Sequence, residues 1–344
     1  MMKGRVLIMG KYIKSFKVST VCKFAVIGLL LVFLGIYPLW GARNTMNVFL
    51  LMFQYMALAQ MWNLLGGYAG LVSLGQQIFV GLGGYSLAII VQKYGLPVYV
   101  GIAVAGVVAS LFALAISFPI FKMKGVYFTI GTWIVAEGLI LLFKNWGFVD
   151  YSIGINITAA WSWTIPQLYY LSLGVTIAAF LVVYSLLRSK LGLALMAMRD
   201  NDAAAEVRGV GLYGTKLRCF LISAFMTGVI GATIYLNLGT IMPGPGFGID
   251  WTIIMVFIVI IGGIGTMEGP IIGAVIFVLL RQYLFAYPGI SMAILGLLAI
   301  IIILAAPRGV MGIIHEKTGF EVFSARRRAK TMRRKLGIAE SENT

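Results

Sequence analysis

Residues 189–216, SKLGLALMAMRDNDAAAEVRGVGLYGTK, form a polar island carrying Arg and Lys in a chain that is otherwise almost continuous hydrocarbon. Apolar runs of bilayer-spanning length flank the island, so it reads as a loop at a membrane face, and its cations place that face in the cytoplasm. It also has the pattern of a short helix. Asp200, Asn201 and Asp202 suit a helix start, Ala203 to Glu206 favour the helix, and Gly209 and Gly211 can end it. A short capped helix on the cytoplasmic side of a multi-span protein gives a soluble partner something to grip and move. The alternative is a solvated connector between two spans.

Composition sets the class. Hydrophobic residues make up 60% of the chain and charged residues 11%, with a mean hydropathy of +0.97. A soluble domain has about 45–50% apolar and about 25% charged residues, so the chain is expected to be a polytopic integral membrane protein. The net charge of +16 does not call for nucleic acid. The cations sit between apolar runs and at the two ends, where the orientation rule and anionic lipid account for them.

Spans of about 20 apolar residues, each able to cross a hydrocarbon core of roughly 30 Å, fall near 21–40, 46–65, 68–92, 98–121, 125–143, 168–187, 219–238, 251–266, 270–285 and 289–306, about ten in all. The expected fold is an all-α transmembrane bundle. Its parts are a basic cytoplasmic N-terminus over 1–20, a transmembrane domain over 21–306 with a polar cytoplasmic loop at 188–218, and a basic cytoplasmic tail over 307–344. Lys3, Arg5, Lys11, Lys14 and Lys17 put the N-terminus inside. Alternation then puts Lys122, Lys124, the 188–218 loop and the C-terminus inside as well, and 150–167 outside. The first apolar run is longer than a signal h-region and has no small-residue cleavage pattern, so it reads as a retained span. Cys22 and Cys219, the only two cysteines, lie near cytoplasmic ends of spans and offer neither a disulfide framework nor metal-ligand spacing.

Two apolar segments are interrupted. Residues 65–85, LGGYAGLVSLGQQIFVGLGGY, hold recurrent glycines with Ser73, Gln76 and Gln77 mid-segment. Residues 260–274, IIGGIGTMEGPIIGA, hold Glu268 and Pro270, so the backbone is expected to turn there, as a re-entrant hairpin or otherwise. Such segments can be helix packing alone, but one in each half of the chain is also the pattern of a translocation path. Adjacent glutamines point about 100° apart on a helix, so at least one is expected to face water or solute. Glu137 is the clearest intramembrane charge. It either locks two helices or lines the path. The sole histidine, His315, lies beyond the last span, which weighs against proton-coupled transport. No HExxH, nucleophile elbow or GK[ST] phosphate loop is present, so no catalytic residue, metal site or cofactor of the chain's own is expected.

Five runs in order, NLLGGYAGLVSLG (63–75) with FVGLGGY (79–85), KGVYFTIGTWIVAE (124–137), RDNDAAAEVRGVG (199–211), IGGIGTMEGPIIGA (261–274) and PRGVMG (307–312), resemble the membrane permease of branched-chain amino-acid ABC importers, in its longer type. The resemblance covers residues 45–312. It implies a fold like that of type II ABC importers in a prokaryotic inner membrane. It also implies a second, related permease, two cytoplasmic ATPases that bind ATP and Mg, and an extracytoplasmic solute-binding protein. The resemblance also makes 200–211 a coupling helix, with Arg199, Asp200, Asp202, Ala203, Ala204, Ala205, Glu206 and Gly209 as the expected coupling residues; Ser73, Gln76, Gln77 and Glu137, polar within apolar segments, are the expected solute path. In that family two small residues precede a Gly, matched by Ala204, Ala205 and Gly209, whereas the usual preceding Glu is replaced by Ala203, with Asp202 one position earlier. SLGQQIF stands where the family has SLGHAAF, and 150–163, DYSIGINITAAWSW, replaces a Gly- and Asn-containing segment. The resemblance implies a branched-chain or other amino acid or a related compound as solute, and the two departures leave an aromatic, amide or other small organic solute, urea included, as alternatives. A stand-alone channel or facilitator, for urea for example, and a polytopic membrane enzyme are the other classes.

Overall fold

The computed structural model describes residues 28–284, 294, 296, 297, 300 and 309–318. The basic N-terminal segment, the last expected span at 289–306 and the basic tail lie outside the described residues. The chain divides into two compact units at Asn47/Val48. In the first, Phe33 and Tyr37 of α1 (Gly28–Leu39) and Trp40 just after it form a mutually packed aromatic group.

The helix α2 (Arg43–Asn63) begins there and continues through the second unit. It is followed by α3 (Gln77–Gln92), α4 (Val98–Ile120), α5 (Val126–Lys144), α6 (Ile165–Arg188), α7 (Lys190–Asp200), α8 (Asp202–Val207), α9 (Leu212–Leu238), the single turn α10 (Pro243–Gly246), α11 (Asp250–Gly262), α12 (Gly269–Leu284) and α13 (Gly309–Thr318). Among the described residues six helices are long and apolar enough to cross a membrane, which with the composition makes this an all-α polytopic membrane protein.

The central helices are α2 and α9, whose most apolar windows are 78% and 83% buried, against 39% for α4, α5 and α6. Small residues let the backbones close up. A Cβ on Gly231 would lie 2.7 Å from Val80 Cα, and one on Gly228 would lie 2.7 Å from Ala105 O, so α3, α9 and α4 meet with no room for a side chain. Polar seams cross the same core: Gln54 Nε2 donates to Ser172 Oγ (3.3 Å), and Thr176 Oγ1 donates to Phe53 O (2.8 Å).

Helices lie at nine of the expected runs, six of them long and apolar enough to cross a membrane, and two of the runs are corrected. The 68–92 run is not one helix, because a π-helical turn (Leu64–Tyr68) and a non-helical stretch precede α3. α9 starts at Leu212, earlier than the apolar run at 219, with Leu212, Lys216 and Leu217 half-buried ahead of Cys219, its first buried residue. Polarity therefore marks the loop later than the helix begins. The expected turn between the 251–266 and 270–285 runs is a hairpin, α11 and α12, whose backbones touch at Gly262, Gly269 and Gly273. A two-residue strand pair, β1 (Ile155–Asn156) with β2 (Thr240–Ile241), is antiparallel in register Ile155↔Ile241 and joins the α5–α6 and α9–α10 connections.

Candidate functional site

The polar island folds into two helices rather than one. Ser189 caps α7 by accepting from Leu191 N (3.2 Å), and Asn201 caps α8 by accepting from Ala204 N (3.1 Å). Of the three residues suited to capping, Asn201 does it, because its extended backbone (φ −164°, ψ 113°) breaks α7 from α8. Gly209, at φ +82°, ends α8 as expected. Asp202 pairs with Lys216 on α9 at 2.6 Å, a partly exposed contact that contributes less than about 1 kcal/mol.

Exposure on α8 differs from the expectation that the alanine pair faces a partner. Ala205 is 1% exposed and turned into the protein, whereas Ala203, Ala204 and Glu206 are open and Val207 is 90% exposed. Ala203, Ala204 and Val207 share one face by their spacing of three and four. Sequence reasoning missed Val207. Its only signal was an aliphatic residue ending a polar run.

Arg199, in the last turn of α7, points away from that face. Its Nη1 donates to Gly67 O at 2.5 Å. Gly67 belongs to the π-helical turn, where Ala69 N reaches Leu64 O, and such turns put an extra residue into a helix at sites of function. One turn earlier, Asn63 donates through Nδ2 to Thr266 O (2.8 Å) and accepts at Oδ1 from Gly265 N (2.8 Å). The two interrupted segments thus meet. The expected backbone turn in the second is present, with Gly263 and Gly265 at positive φ and Thr266 Oγ1 bridging Gly263 O and Gly269 N.

The stretch between the π turn and α3 is pinned by side chains: Trp62 Nε1 donates to Ser73 O (2.9 Å), Thr129 Oγ1 to Val72 O (2.7 Å), and Leu74 N to Thr132 Oγ1 (3.1 Å). Ser73 Oγ accepts from Gly75 N at 3.1 Å. Gln76 and Gln77 are both 0% exposed, so neither faces water. Three helices converge here, and each amide enters its own seam. Gln76 Nε2 donates to Ser223 Oγ (2.7 Å), which itself donates to Met61 O (3.1 Å). Thr252 on α11 donates to Gln77 Oε1 and accepts from Gln77 N. Gln76 Oε1 and Gln77 Nε2 have no protein partner.

Glu137 is exposed on α5 and accepts from Trp133 Nε1 of its own helix at 3.0 Å. Tyr127, Ile130, Ile134 and Leu141 extend the same outward face, and near Lys122 and Lys124 it opens into a cavity of about 540 Å³ lined also by Met123 and Gly131. A carboxylate on an apolar span surface is costly against lipid, so this face fits protein or water. Arg281, near the end of α12, hydrogen-bonds Tyr55 Oη and is a second charge in an apolar run that the sequence reading passed over.

The family described as branched-chain amino acid transport system / permease component matches residues 44–306, from α2 through the helices that form these sites. The high-affinity branched-chain amino acid transport system permease protein LivM of Escherichia coli (strain K12) is 26% identical over 323 residues, covering 85% of this chain and 76% of that protein. LivM of Salmonella typhimurium matches with the same identity and coverage. A probable branched-chain amino acid transport permease protein, LivH of Methanocaldococcus jannaschii, is 30% identical over 159 residues, 43% of this chain and 49% of that protein. No solved structure matches the chain. With both interrupted segments and the capped α8 inside the matched region, this chain belongs to the branched-chain amino acid transport system permease family.

Proposed function

We propose that this chain is one of two permease subunits of an ATP-driven importer for a branched-chain or related amino acid. It would sit in a prokaryotic inner membrane with about ten crossings and both termini in the cytoplasm. Two ATPase subunits bind ATP with Mg and hydrolyse the ATP on the cytoplasmic side, and a solute-binding protein delivers cargo outside. The observation that carries this reading is α8. It is a capped helix with an open Ala203, Ala204 and Val207 face, anchored from below by Ala205 and joined through α7 to the bundle. Nucleotide-driven movement of the ATPases shifts α8 as a rigid lever, and the spans alternate access.

The second permease covers the outward face of α5, and the solute path runs along it, with Glu137 as the polar group a solute can reach. Ser73, Gln76 and Gln77 line the path only when α3 parts from α9 and α11, because all three are otherwise buried and the two amides are tied to Ser223 and Thr252. A self-sufficient facilitator needs no α8 lever. The test is uptake of labelled leucine, isoleucine and valine into proteoliposomes holding this chain, its partner permease and the ATPases, with binding protein outside. Accumulation that requires internal ATP supports the importer. Equal flux by this chain alone, with or without ATP, overturns it.

A further inference from the structure

We propose that Asn63 and Arg199 are positioning residues that form a single joint, through which motion of α8 reaches both interrupted segments at once. This rests on the importer reading above. Three parts of the chain far apart in sequence converge on a few backbone groups: the π turn at Gly67, the last turn of α7 at Arg199, and the α11–α12 turn at Gly265 and Thr266. Asn63 uses both ends of its amide on the α11–α12 turn, a two-point attachment that fixes orientation as well as distance. Arg199 brings a cation to Gly67 O, a stronger bond than a neutral donor makes.

The joint has no slack. A Cβ on Gly67 would run into Asn63 Oδ1 and lie 2.7 Å from Gly265 N. One on Gly265 would lie 2.6 Å from Arg199 Nη1, and one on Gly70 would lie 3.3 Å from Arg199 Cα. Only glycine at 67 lets the π turn close on the α11–α12 turn, and Gly70 and Gly265 need glycine for φ of +70° and +75°. Arg199 immediately precedes the Asp200–Asn201 break into α8, so displacement of α8 is carried to Gly67 as well as to α9, which α8 meets through Asp202 and Lys216. A plain packing contact would not need a bidentate amide, a guanidinium and three glycines at one point.

The joint is tested on the assembled importer and on the full chain alone. In the importer, Asn63→Ala should leave basal ATP hydrolysis within about twofold of wild type but cut its stimulation by solute-loaded binding protein about tenfold, the scale of losing a buried two-bond amide. In the full chain in detergent, Asn63→Ala and Arg199→Gln should each raise amide exchange about tenfold in both 64–72 and 263–269, the local-opening signature of one cooperative unit. Arg199→Lys, which keeps a cationic donor, should restore most of the protection and serves where Arg199→Gln does not assemble. Exchange confined to the mutated residue's own segment overturns the joint. Full stimulation in an assembled Asn63→Ala complex overturns its transmission role. A wild-type complex with no stimulation by any solute sinks the importer reading instead, and the exchange result still decides the joint.

Discussion

Val207→Glu and Ala205→Glu, two residues apart on α8, should fail in opposite ways. Val207 is 90% exposed, so a Glu there keeps its hydration in the free subunit and changes folding by less than about 0.5 kcal/mol. Once the face is covered by an ATPase, the valine's transfer from water is lost, at about 2 kcal/mol, which weakens docking roughly thirtyfold, with the cost of desolvating a carboxylate added. Ala205 is 1% exposed where α8 packs on α7 and α9, so a Glu there forces a charge into a site with no space and costs several kcal/mol of fold stability. The assay is paired: thermal unfolding of each purified variant in detergent, and solute-stimulated ATP hydrolysis after reconstitution with saturating and limiting ATPase. Val207→Glu should melt within a degree or two of wild type and lose stimulation at limiting ATPase, with partial recovery at saturation. Ala205→Glu should melt early or express poorly. Wild-type stimulation by Val207→Glu at limiting ATPase refutes the assignment of this face.

Three further outcomes follow from the same geometry. Glu137→Leu should insert normally and lower the transport rate about tenfold or more, while solute affinity of the binding protein is unchanged; a wild-type rate removes Glu137 from the path. Gly231→Leu puts a side chain where Val80 backbone lies and should destabilise the α3–α9 contact by about 1–3 kcal/mol or more, read as a lowered melting temperature in detergent. In intact cells an impermeant thiol reagent should label Ile153→Cys and spare Arg208→Cys, both exposed positions, while native Cys219, fully buried, stays unreactive; labelling of Arg208→Cys reverses the proposed orientation.

The sequence reading found the class, the helical architecture and most span positions because burial in lipid demands about 20 apolar residues at a time, a signal no packing detail can hide. It also found both interrupted segments and the α8 start, since Gly at positive φ and Asn at a cap are local requirements. What it could not find depends on neighbours. Two adjacent glutamines were expected to leave one side chain in water, but α9 and α11 offer Ser223 and Thr252 in separate seams, and nothing in the spacing of Gln76 and Gln77 records that. Ala204 and Ala205 are equivalent in sequence and opposite in exposure, because the turn at Asn201 sets the rotation of α8. The outward face of α5 is apolar apart from Glu137, so its sequence pattern is the same whether lipid or protein covers it. The β1–β2 pair is two residues long and leaves no alternation to read.

The central claim is that the motor grips α8 at its open face, and a photo-crosslinking amino acid in place of Val207 tests it most directly. In the assembled complex, illumination should join this chain to an ATPase subunit in high yield, and the yield should change between nucleotide-free and ATP-bound states as the lever moves. An intact, transport-competent complex in which position 207 gives no ATPase adduct in either state contradicts the account.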